Sequence, residues 1–72
     1  MILFLFENTR SVIVAEEEIL KKKVKCRIIP VPRSISSQCG LAIEAELDSE
    51  IQISGILTEK QIKFDIYREY KK

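Results

Sequence analysis

The chain has 72 residues, enough for one small domain spanning 1–72 but for only a modest core, so its stability calls for help from a staple or a partner subunit. Twelve Lys and Arg against eleven Asp and Glu give a formal net charge of +1, which argues against a dominant electrostatic grip on nucleic acid or on an anionic membrane. Two cysteines and no histidine exclude a disulfide framework and supply too few ligands for a four-ligand zinc centre, so neither a metal nor a cofactor is expected.

Ile2–Phe6 is an unbroken apolar run of strand length. It is too short to span a bilayer, and Glu7 precedes any Lys or Arg, so the basic start of a signal peptide is missing. A cytoplasmic, reducing location follows as the default, with both cysteines as free thiols. Asn8 or Thr9 can cap a helix that runs to about Lys23. Val12, Ala15 and Ile19 share one face of it with Leu20 beside them, and Glu17 and Glu18 each stand four residues before a lysine, the order that suits a helix and its dipole.

Val24–Val31 alternates as a second strand, with Val24, Cys26 and Ile28 on one side and Lys25 and Arg27 on the other. Pro30 and Pro32 fit the end of an edge strand, where absent ladder donors do least harm. Leu41–Leu47 is a third strand. Its odd-numbered residues are apolar, while Ala42, Glu44 and Glu46 face the other way. Asp48 or Ser49 then caps a second helix, Ser49 and Gln52 having capping-box spacing, with Ile53, Ile56 and Leu57 as its apolar stripe. Gly55 inside this helix weakens it somewhat. Ile62 to about Tyr70 is the last strand, and Lys71-Lys72 a frayed tail.

Strand, helix, strand, strand, helix, strand is the split βαβ order of an α+β, ferredoxin-like βαββαβ domain, a four-stranded antiparallel sheet with two helices on one face. That topology puts the first and third strands in the centre and the second at an edge, where Lys25, Arg27 and the prolines guard it. If Ile2, Phe4 and Phe6 face the helices, then Leu3, Leu5, Ile29, Val31 and Tyr67 share the open face, a patch suited to binding a partner or a second copy.

The loop joining the second and third strands carries the chemistry. Residues 29–43 read Ile-Pro-Val-Pro-Arg-Ser-Ile-Ser-Ser-Gln-Cys-Gly-Leu-Ala-Ile. Cys39 in a loop can be accessible and reactive, and Gly40 beside it lets the backbone take unusual angles or another molecule approach closely. Arg33 supplies a fixed charge that favours the charged form of a nearby thiol, and Ser34, Ser36 and Ser37 offer hydroxyl donors. The bland alternative makes Cys39 a small apolar residue beside a turn, Arg33 a surface charge, and the serines partners for loop backbone. Cys26 reads as a core residue, and a Cys26–Cys39 disulfide is not expected, because a hairpin separates them by about 13 Å against a reach of about 7 Å. The carboxylates show no acid–base spacing, and no phosphate loop or histidine-based nucleophile occurs.

This segment strongly resembles the signature of a family of small bacterial proteins, the selenium or sulfur carrier protein-like family. Two prolines, Arg33, Ser36-Ser37 and Cys39-Gly40 occur in the family's order over about a fifth of the chain. The resemblance implies that Cys39 is the carrier thiol of a non-enzymatic protein, taking sulfur or selenium from a donor protein and passing it to an acceptor. Cys26 lies outside the signature. The competing reading is a regulatory or interaction module with no thiol chemistry. RNA binding is weaker still, because the third strand offers no aromatic for base stacking and presents Glu44 and Glu46 instead.

Overall fold

The computed structural model describes residues 1–31, 35 and 39–68. Within them the elements follow the expected order: β1 (Ile2–Leu5), α1 (Thr9–Lys21), β2 (Arg27–Pro30), β3 (Leu41–Ala45), one 3-10 turn (Leu47–Ser49), α2 (Glu50–Glu59) and β4 (Asp65–Tyr67). The strands pair antiparallel in the order β2-β3-β1-β4, so β1 and β3 are central and β2 is an edge. This is the ferredoxin-like arrangement, α+β in class.

The register explains the core. Phe4 pairs with Ile43 on one side and Ile66 on the other, and Ile28 pairs with Ile43. This row meets Val12, Ala15 and Ile19 of α1 and Ile53 and Leu57 of α2 in one buried cluster. Strand period two and helix period near 3.6 thus converge on one layer between sheet and helices. Phe4 and Phe64 add a tilted ring contact at 5.7 Å between centroids, a favoured aromatic geometry.

The helix ends differ from the sequence reading. Asn8 does cap α1, its side-chain oxygen accepting from the Ser11 N–H at 2.8 Å. The helix stops at Lys21 rather than Lys23 because Lys23 takes a left-handed φ of 61° and the Val24 N–H turns back to the Ile19 carbonyl. Val24 therefore closes a helix instead of opening a strand, which shortens β2 at its start. Gln61 (φ 59°) and Ile62 end α2 in the same way, Ile62 N–H bonding to the Leu57 carbonyl at 2.9 Å, and β4 begins only at Asp65. At the other end of α2 the expected Ser49 side-chain cap is not made; the chain instead winds through the 3-10 turn into the helix. Leu47 leaves β3 for that turn. Tyr70 and the Lys71-Lys72 tail lie outside the described residues.

The face of the sheet away from the helices is more closed than alternation alone implied. Arg27, Glu44, Leu3 and Tyr67 form one row across it, and Ile29, Ala42, Leu5 and Asp65 the next. Leu3 has no exposed surface, and Leu5, Ile29, Val31 and Tyr67 are half-buried. Glu44, expected to point into solvent, is 2 % exposed, and the Arg27 Nε donates to its carboxylate at 2.7 Å. A buried carboxylate needs such a partner.

Candidate functional site

The site grows out of the β2–β3 hairpin. Pro30 pairs with Leu41, and the Val31 N–H donates to the Gly40 carbonyl at 3.0 Å, closing the loop at its neck. Gly40 has φ +76°, the left-handed region where a side chain is strained. A Cβ built on it would meet nothing within 4 Å, so glycine serves the dihedral here and relieves no crowding. That fixed turn sets Cys39 immediately before β3.

Cys39 is half-buried and packs against the core cluster beside Leu41. Its thiol donates to the Leu41 carbonyl at 3.1 Å. The sulfur thus leans toward the protein instead of standing free on a loop, and a thiolate, having no proton to donate, would give up this bond. Ile35 is half-buried as well. Arg33, Ser36 and Ser37, together with Ser34 and Pro32, lie outside the described residues.

Cys26 sits at the far end of the same hairpin. It precedes Arg27, whose partner is Glu44, while Cys39 precedes Gly40 and Leu41 at the neck. At about 3.3 Å per residue the two Cα atoms are set well over ~13 Å apart along the hairpin, beyond the ~7 Å Cα separation a disulfide allows. Neither is in a disulfide. Cys26 is half-buried, where the sequence suggested full burial, because β2 begins only after it. Burial, aided by the Glu16 charge, pushes its pKa up to about 11.

A shallow groove of about 260 Å³ opens at this end, between Met1, Lys25 and Arg27 and the carboxylates of Glu44 and Glu46, with Cys26 also lining it. Sequence reasoning missed its defining contact, Arg27 on Glu44. The signal was there: both have outward parity on neighbouring strands, and only the register brings them face to face. No three His, Cys, Asp or Glu residues among the described ones come together as metal ligands. No helix among them is long and apolar enough to cross a membrane.

An antiparallel four-stranded sheet under two helices, with a cysteine held by a left-handed glycine at the hairpin neck, defines a small α+β domain with one candidate loop nucleophile. The chain belongs to the family described as "Putative Se/S carrier protein-like", whose model matches residues 1–68. It is 43% identical over 61 residues to an uncharacterized protein of Methanocaldococcus jannaschii, an alignment covering 85% of this chain and 30% of that protein. The chain therefore spans less than a third of the length of this relative, which is longer than the small proteins the signature suggested. No solved structure matches it.

Proposed function

We propose that this protein carries sulfur or selenium on Cys39 between a donor protein and an acceptor protein, without itself catalysing a net reaction. The observation that supports this reading is the contrast between its two thiols. Cys26 is disfavoured as a thiolate by its burial, whereas Cys39 stands at the neck of a loop whose backbone is set by Gly40. Loading is an exchange at constant oxidation level. The Cys39 sulfur attacks the terminal sulfur of a donor persulfide, the donor S–S bond breaks, and a new S–S bond forms on Cys39. The donor leaves as its thiolate and takes up a proton, so no oxidant is consumed. A donor carrying terminal selenium would leave a selenenyl sulfide by the same balance.

Two features of the chain prepare the step. The Cys39 thiol gives up its hydrogen bond to the Leu41 carbonyl when it becomes a thiolate. Arg33 and the Ser36 and Ser37 hydroxyls, on the same short loop, then supply charge and donors for the anionic terminal atom. Delivery reverses the exchange on an acceptor thiol.

The half-burial of Cys39 favours one rival reading, in which the residue only fills space under the hairpin and the domain is an interaction module. Intact-protein mass after incubation with a cysteine desulfurase and cysteine separates the two. The carrier gains one sulfur atom that a reductant removes, Cys26→Ala gains it too, and Cys39→Ala does not. A wild-type mass that never changes sinks the carrier reading.

A further inference from the structure

We propose that the outer face of α1 is a self-association surface, on which a second copy of this chain docks its own α1 antiparallel, crossing near Val14. The face is defined by what α1 buries. Val12, Ala15 and Ile19 point to the sheet. At roughly 100° per residue the opposite side carries Arg10, Ile13, Val14, Glu17 and Lys21. Ile13 is 47 % exposed and Val14 37 %, large aliphatic side chains that the described residues leave partly open to solvent. On the open sheet face the corresponding residues Leu5, Ile29, Val31 and Tyr67 are half-buried, whereas Ile13 and Val14 are exposed.

Charge placement selects the occupant. Among the described residues neither Arg10 nor Glu17 has an ion pair. In an antiparallel pair crossing near Val14, a residue some way before the crossing meets one equally far after it. Arg10 then faces the Glu17–Glu18 turn of the partner helix, and Ile13 lies against Val14. Because the contact is two-fold, each pairing occurs twice, which is the self-complementarity a closed dimer requires. A parallel pair would instead set Arg10 on Arg10 and Glu17 on Glu17, and like charges in register oppose association. The surface therefore fits an antiparallel copy of itself: an aliphatic centre bracketed by opposite charges.

Sedimentation equilibrium tests this. The wild type should associate reversibly to a dimer, and Val14→Glu should weaken it at least about tenfold, as loss of a central apolar contact does. Arg10→Glu and Glu17→Arg should each self-associate more weakly, since each sets like charges opposite one another. Mixed together they should form a heterodimer of nearly wild-type affinity, because the introduced acid then faces the introduced base while native Glu17 faces native Arg10. All three sites are exposed, and circular dichroism verifies that the variants fold. A wild type that stays monomeric up to about 1 mM overturns the proposal. So does a dimer that survives Val14→Glu, a mixture no tighter than its components, or a dimer that Leu5→Lys dissociates instead, which would place the contact on the open sheet face. None of these outcomes bears on the carrier reading, which the mass experiment decides separately.

Discussion

Cys26 and Cys39 share one hairpin and one buried layer, yet the sulfurs meet different surroundings. Cys26 sits where burial and the Glu16 carboxylate both oppose a thiolate. The Cys39 thiol donates a hydrogen bond to the Leu41 carbonyl. Timed alkylation of the folded protein near neutral pH, read by peptide mass spectrometry, should label Cys39 well before Cys26; equal rates or the reverse order would remove Cys39 from the site. Arg33→Gln should slow that labelling without unfolding the chain. Cys26 also leaves a mark on stability. Its folded pKa of about 11 lies above the ordinary 9.0, so the folded chain holds the thiol proton more tightly than the unfolded one. The resulting stability is complete below pH 9.0 and is lost as pH rises toward about 11. Urea unfolding across that window should show a decline that flattens in Cys26→Ser, only modestly, because a half-exposed group is screened by solvent.

Both helices end through the same device. In each, a left-handed residue is followed by an aliphatic one whose N–H returns to a carbonyl a turn and a half earlier, Val24 to Ile19 and Ile62 to Leu57. Those pairs also pack together in or against the core. This is the Schellman closure, normally built on glycine, which tolerates left-handed angles at no steric cost. Here Lys23 and Gln61 occupy that position, and no glycine marked either stop in the sequence, which is why α1 was read two residues too long. Lys23→Gly should therefore stabilise the domain, by up to about 1 kcal/mol once the added freedom of the unfolded chain is counted. Thermal unfolding checks this, and a fall in Tm would show that the lysine stem contributes packing that outweighs the strain. The N-cap was legible by contrast, because Asn8 caps through its own side chain and needs nothing from elsewhere in the fold.

Across the molecule the sheet joins two ends with different characters, a thiol at the hairpin neck and a charged groove at the opposite rim. The Arg27–Glu44 pair anchors the second. Glu44 is nearly inaccessible while Arg27 is more than half exposed, so removing the arginine takes a short charge-assisted hydrogen bond from a buried carboxylate. Arg27→Met should cost about 1–3 kcal/mol by urea unfolding, below the full penalty of a completely buried pair because the guanidinium is solvated. Adding Glu44→Leu should restore much of the loss, and a double variant no more stable than the single one would count against this account. Arg68 on Glu50 is a bidentate pair tying the chain after β4 to the start of α2, and its hydrogen bonds hold the Glu50 carboxyl below its ordinary value. It is exposed, and its contribution is correspondingly small.

Alternation in β1 and β3, the α1 stripe, and the order of elements were all readable from the chain, because each depends on a short-range period that any local window contains. Those periods named the core residues and, through the one compact topology that buries them together, the α+β fold. The loop motif likewise pointed to the family. What sequence periodicity could not supply was anything that depends on which residue lies opposite which. Glu44 reads as solvated until β2 pairs with β3 and sets Arg27 over it. Cys39 reads as a free loop thiol until the hairpin neck closes and brings it onto the core beside the Leu41 carbonyl. Burial and hydrogen-bond partnership are properties of contacts between distant segments, and only the tertiary register decides them.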